Sequence, residues 1–252
     1  MTSPILVTGG TGTLGSHVVP RLREAGHEVR VLSRKSYEHE DGVEYVTGDL
    51  LKGYGIEAAA EGIETFLHLA GGPKGDDEAT RHVVRVASRV GARHLVYISV
   101  IGADRVPLGY FRSKLAAERA VADSGIPWTT LRAAQFHDAM LTVVRGMSKL
   151  PVVPVPGGLR FQPVDPGEVA ARLAELTLSE PAGRVPDLPG PKVYKIKELL
   201  RGYLKARGKR RLMVPIRLPG KVGRAYRAGE NLNLDAAAGG RTWEDFLAER
   251  VS

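Results

Sequence analysis

Apolar and polar positions along this chain follow two distinct rhythms. Short, nearly continuous apolar runs occur at 5–7, 29–32, 43–46, from Thr65 into Gly71 and Gly72, at 94–99 and at 126–131. Runs of that length and continuity predict strands covered on both faces, as in a parallel sheet. Between them lie stretches whose apolar residues recur every three or four positions. Leu14, Val18, Val19 and Leu22 form one such stripe, ending at Gly26. Val83, Val84, Val86, Ala87 and Val90 form another, within a helix predicted over 78–90. Further helices are predicted over 56–60 and 110–124. Strands and helices in regular alternation predict an α/β fold built on a doubly wound parallel sheet. Pro20 falls inside the first helix, where it removes one ladder bond and is expected to bend it.

After Arg132 the rhythm loosens. Helices are expected over 136–147, 168–177, 196–206 and 243–250, while the proline- and glycine-rich stretch 150–159 is not expected to be one regular element. The 252 residues are 43% apolar, enough to bury one large core. The expectation is one domain over 1–252, with a cofactor-binding core over 1–150 and a small substrate lobe with C-terminal helices over 151–252.

The turn after the first strand carries the first chemical signal. Thr8-Gly9-x-x-Gly12-x-x-Gly15 leaves a buried strand, enters a helix and returns to a second apolar strand within about 30 residues, as a dinucleotide-binding βαβ unit requires. In this reading Gly9 permits the tight turn, Gly12 lets backbone N–H groups approach a pyrophosphate, and Gly15 lets helix and strand pack closely. The helix N-terminus would face the phosphates. Thr8, Gly9, Gly10, Thr11, Gly12, Thr13, Leu14 and Gly15 are therefore the expected cradle of a Rossmann-like fold.

The second strand ends at Ser33, Arg34 and Lys35, with no acid before Glu38. An acid there favours NAD by bonding the ribose 2′-hydroxyl, whereas basic residues accommodate a 2′-phosphate. The expected cofactor is NADP(H). Asp49 and Leu50, after the third strand, suit an adenine amino group and face. Leu69, Ala70 and Gly71, where the fourth strand runs into glycines, are expected to meet the ligand with backbone. His68 lies inside that strand and is expected to be a core residue.

Net charge is +8, and the chain has no cysteine, which excludes disulfides and thiolate-bound metal. No metal is expected. Basicity concentrates between Lys192 and Arg227, where 13 lysines and arginines face a single acid, Glu198. Such a segment suits a solvated face or an acidic partner. No helix-turn-helix or zinc pattern supports direct nucleic-acid reading. Over 219–228 only Val222 and Tyr226 accompany Lys221, Arg224 and Arg227, too little apolar surface to expect a membrane contact. No apolar run approaches the ~20 residues of a membrane span, and a cytoplasmic location is expected.

Tyr110 and Lys114 stand one helical turn apart on one face. Eight tyrosines and 11 lysines produce about a third of such a pair by chance, so position carries the weight. This pair follows the fifth strand, whose carboxyl end should face the cofactor cleft.

Together, Thr8-Gly9-x-x-Gly12-x-x-Gly15, Asp49, the run 94–102 with Ser99, and Tyr110-x-x-x-Lys114 resemble the short-chain dehydrogenase/reductase superfamily. Ser113 to Glu118, Leu131 to His137 and Phe161 to Val164 resemble more closely its atypical, NmrA-like NAD(P)H-binding branch. The resemblance covers nearly the whole chain and is strongest over 4–138. It implies Tyr110 as general acid/base, Lys114 as its activator and ribose ligand, and Ser99 as a second ligand of the substrate oxygen. Many relatives carry a second serine where this chain has Val100. A neighbouring ammonium would stabilise the phenolate of a tyrosine whose ordinary pKa is about 10. Gln135, Phe136 and His137 follow the sixth strand, where the superfamily passes nicotinamide and substrate. His137 is either a substrate contact or proton carrier, or a cap on the next helix. Phe161, with Val153, Val155 and Leu159, points to an apolar small-molecule substrate. The expected activity is NADPH-dependent reduction of a carbonyl or activated alkene. The alternative is a non-catalytic NADP(H)-binding redox sensor that uses the basic segment for a partner.

Overall fold

A computed structural model describes residues 3–39, 41–72 and 74–251. In chain order the elements of the main sheet and its helices begin with β1 (Ile5–Thr8), α1 (Gly15–Glu24), β2 (Val29–Ser33), β3 (Val43–Thr47) and α2 (Ile56–Ala59). They continue with β4 (Thr65–His68), α3 (Asp76–Arg89), β5 (His94–Val100), α4 (Gly109–Ala122) and β6 (Trp128–Ala133). Then come α5 (His137–Met147), β7 (Val152–Pro156), β8 (Arg160–Phe161), α6 (Pro166–Leu178) and β9 (Gly183–Arg184). The last are β10 (Tyr194–Lys195), α7 (Ile196–Ala206), β11 (Leu212–Ile216), α8 (Gly220–Ala228) and α9 (Trp243–Arg250).

Seven strands form one parallel sheet in the order β3-β2-β1-β4-β5-β6-β9. The order reverses beside β1, which pairs with β2 on one side and β4 on the other. In open α/β sheets ligands bind outside the carboxyl ends of strands at such a switch point. The central strands are covered on both faces: all four residues of β1 and all seven of β5 are buried. Helix α1 runs through Pro20, whose ring lies on the exposed side, and the Arg21 guanidinium donates to the His17 carbonyl at 2.7 Å.

The chain groups into two compact units. The first comprises the chain up to Ser99, Gly109–Arg132 and Pro166–Pro186. Its core gathers Leu6, Leu32, Ile56, Phe66, Leu95 and Tyr97 among others. The second comprises Val100–Leu108, Ala133–Asp165 and the chain from Asp187 on, around Met140, Val153, Leu200, Trp243 and Phe246.

The stretch 150–159 is not one regular element, but five of its residues form β7, which pairs in parallel with β11. Val153 and Val155 point into the core and so enforce an alternation that the prolines obscure in the sequence. Proline is tolerated because a two-stranded sheet consists only of edges. No helix among the described residues is long and apolar enough to cross a membrane.

Candidate active site

The glycine turn closes against the end of β4. Gly9 adopts φ +74°, and a Cβ there would lie 2.7 Å from the Ala70 nitrogen. A Cβ on Gly10 would meet Val31 of β2 at 2.8 Å. Gly15 packs against the turn itself, where a Cβ would lie 2.4 Å from the Gly10 backbone. Gly12 differs: only the Gly9 oxygen, at 3.3 Å, lies near its missing Cβ, so its outer side is open. Thr11, Gly12 and Thr13 are exposed while Leu14 is buried. No side chain caps α1, and its first turn holds no acid. A backbone that open, at a helix N-terminus with its orphan N–H groups, fits a pyrophosphate.

At the end of β2, Ser33 is buried and its Oγ accepts the Lys35 N–H at 3.2 Å. Arg34 and Lys35 are exposed, and neither forms an ion pair among the described residues. Asp49 Oδ1 accepts the N–H groups of Leu51 at 2.9 Å and Lys52 at 3.3 Å, so this oxygen shapes its own turn. Leu50 packs against the core of the first unit.

Beneath the loop after β4 lies a polar network. Thr80 Oγ1 donates to the Asp76 carbonyl at 2.7 Å, so it accepts from His68 Nε2 at 3.0 Å. His68 is then neutral with its lone pair on Nδ1, which accepts from Thr8 Oγ1 at 2.6 Å. Thr8 Oγ1 in turn accepts the Ala70 N–H at 3.3 Å. Burial drives the pKa of His68 down to about 4, which keeps the ring neutral. His68 is thus a satisfied core residue, and the Thr8 hydroxyl ties β1 to β4.

Tyr97 OH donates to Asp76 Oδ2 at 2.7 Å. Lys114 Nζ donates to Tyr97 OH at 3.2 Å and to the Ile98 carbonyl at 3.1 Å, and pairs with Asp76 Oδ2 at 3.2 Å. These contacts match the three donors of an ammonium. Asp76 and Lys114 are only 2% and 4% exposed. Burial lowers the pKa of Lys114 and the Asp76 carboxylate opposes that shift. Burial also raises that of Tyr97. Gly71 lies over this pair: a Cβ there would stand 2.9 Å from Asp76 Oδ1 and 3.1 Å from Lys114 Nζ. Asp76 Oδ1 is buried and has no hydrogen-bond partner.

Ser99, next to the carbonyl that Lys114 holds, is 5% exposed, and its Oγ also lacks a partner. Tyr110, the second residue of α4, is half-buried with its ring edge against Phe111. Leu69 is nearly buried, and Ala70 and Gly71 are progressively more open.

In the second unit, Gln135 keeps both amide atoms buried without a partner, and Phe136 is half-buried at the N-cap of α5. His137 does not cap α5. Its ring is fully buried, 5.1 Å from Phe246 and 6.0 Å from Trp243, and the N-cap position belongs to Phe136. Burial lowers its pKa to about 4, and Asp165 lies 4.0 Å from Nδ1. Neither ring nitrogen has a hydrogen-bond partner among the described residues. Phe161, in β8, packs 5.4 Å from Tyr226.

Asp76, Tyr97 and Thr80 were not singled out from the sequence. Two signals pointed to them: three acids opening a helix directly after Gly75, and a tyrosine inside a largely apolar strand. A buried phenol needs a partner.

A family profile described as NAD(P)H-binding matches residues 9–153. The (4-alkanoyl-5-oxo-2,5-dihydrofuran-3-yl)methyl phosphate reductase of Streptomyces griseus is 33% identical over 201 residues, 77% of this chain and 70% of that protein. Quinone oxidoreductase 2 of Escherichia coli is 26% identical over 144 residues, 54% of this chain and 50% of that protein. The crystal structure of an NADPH-dependent quinone oxidoreductase from Escherichia coli with NADPH superposes with a TM-score of 0.82 at 20% identity, covering 98% of this chain and 100% of that one.

Proposed function

Since the chain belongs to the NAD(P)H-binding family, we propose that it is an NADPH-dependent oxidoreductase of the short-chain dehydrogenase/reductase type, reducing a carbonyl or activated alkene of an apolar small molecule. The observation that carries this reading is the buried, partnerless Ser99 hydroxyl at the carboxyl end of β5, beside the carbonyl held by Lys114. A buried hydroxyl with nothing to bond is costly unless a ligand completes it.

The turn from Gly9 to Gly15 binds the pyrophosphate through backbone N–H groups, and Arg34 and Lys35 meet a 2′-phosphate. Bound NADPH supplies a hydride. Ser99 holds the substrate oxygen, and Tyr110 gives its proton to the same atom. With its donors committed to Asp76, Tyr97 and Ile98, Lys114 acts on Tyr110 through its positive charge. Relatives named as a reductase of an acylated dihydrofuranone phosphate and as a quinone oxidoreductase support conjugated carbonyl substrates.

The test is NADPH oxidation across a panel of quinones, enones and aldehydes, with NADH in parallel. Turnover with NADPH and tighter binding of NADPH than NADH is the expected result. NADH preference overturns the cofactor assignment. The commitment of the Lys114 donors also favours a second reading, a redox sensor that binds NADP(H) without turnover. It predicts tight NADPH binding and no consumption across the panel.

A further inference from the structure

The short pair β7–β11 in the second unit leaves one apolar face uncovered. Its register sets Leu212 beside Val152, Val214 beside Pro154 and Ile216 beside Pro156. Because side chains alternate along a strand, these six share one side, opposite the buried Val153 and Val155. Val152, Leu212, Val214 and Ile216 are 47%, 65%, 41% and 42% exposed, and Leu150, just ahead of β7, is 46% exposed. A strand face turned to water ordinarily carries polar residues, and this one carries none. Flanking its strands in the chain are Lys149, Lys209, Arg210 and Arg217, all exposed and none paired with an acid among the described residues. An open hollow of about 480 Å³, lined by Gly157, Gly158, Pro215, Ile216, Arg217 and Arg227, adjoins the face at Ile216.

We propose that this face docks on an anionic lipid surface, the aliphatic residues entering the acyl boundary and the basic rim meeting phosphate headgroups. Apolar residues flanked by lysine and arginine match that interface on both counts. The other occupants fit less well. A second copy of the chain would bring the same positive rim against itself. Pairing with another strand is hindered because Pro154, Pro156 and Pro215 offer no N–H. Nucleic acid would leave the aliphatic face idle, since the face has no aromatic ring on which to stack a base. A protein partner draws its binding energy chiefly from Trp, Tyr and Arg, and Trp and Tyr are absent from the face.

Flotation of the full-length chain with lipid vesicles tests this, and it needs no turnover, so its outcome is separate from that of the reductase assay. The chain should float with vesicles of equal parts phosphatidylcholine and phosphatidylglycerol, and not with phosphatidylcholine alone. High salt should weaken the association. The variants L212S/V214S and R210E/R217E should each weaken it by about 30-fold or more. These side chains are exposed, so the thermal midpoint should stay at the wild-type value; if L212S/V214S shifts it, I216S is read in its place. Absence of flotation with the mixed vesicles overturns the proposal. So does undiminished binding by the apolar variants, and so does binding of duplex DNA or an acidic peptide as tight as that of the vesicles.

Discussion

Replacing Asp76 by Asn removes the only carboxylate that pairs with Lys114 among the described residues. The ammonium then keeps a phenol at 3.2 Å and a carbonyl at 3.1 Å but no opposite charge, in a place where the lysine is 4% exposed. Taking one member from a buried ion pair costs about 3–5 kcal/mol, because the remaining charge has been removed from water without compensation. That is a large part of the roughly 5–15 kcal/mol by which a domain is stable. The variant also removes the carboxylate that opposes the burial-driven fall in the Lys114 pKa, so the lysine deprotonates more readily. Urea unfolding of wild type, D76N, K114M and D76N/K114M closes a double-mutant cycle. The expected coupling is about 2 kcal/mol or more, the double variant being more stable than the sum of the single losses implies. Strict additivity, or a D76N loss below about 1 kcal/mol, would refute the view that the pair is a coupled, desolvated unit.

Three further outcomes follow from the same geometry. His68 and His137 have folded pKa values near 4, below the ordinary 6.5, so both fold as neutral rings. The stability this brings is complete above pH 6.5 and is lost as pH falls toward 4. Each ring should account for about 2 kcal/mol between pH 7 and pH 5, and H137L should flatten part of that slope in urea melts. G71A would press a methyl group onto Asp76 Oδ1 and Lys114 Nζ, which stand 2.9 and 3.1 Å from the position of its Cβ. It should cost about 1–3 kcal/mol of stability and weaken NADPH binding, as read by calorimetry. R34A/K35A should bring the dissociation constants of NADPH and NADH together, the NADPH value rising about 10-fold or more.

What could be read from the sequence was what is local. The glycine turn, the buried strands and the Tyr110–Lys114 spacing each lie within one element or one connection, and periodicity and turn chemistry mark them directly. The partners of those residues were not legible. Lys114 is neutralised by Asp76, whose helix begins before the apolar stripe that announced it, and it donates to the neutral phenol of Tyr97, which a largely apolar strand concealed. His137 follows β6, and its packing against Trp243 and Phe246 of α9, from the far end of the chain, could not be read from its neighbours in sequence. The apolar face of β7 and β11 is assembled from two distant segments, one of them masked by prolines. Each of these features depends on which segments meet, and no window along the chain reports that.

Tyr110 is the acid/base of the proposed reduction, and Y110F tests that role with a change of one oxygen atom. The measurement is the rate of NADPH oxidation with the best substrate of the quinone and enone panel, taken beside the NADPH dissociation constant of the same variant. The expected rate is lower by about 100-fold or more, with NADPH affinity close to that of the wild type. A variant that turns over at the wild-type rate would contradict it.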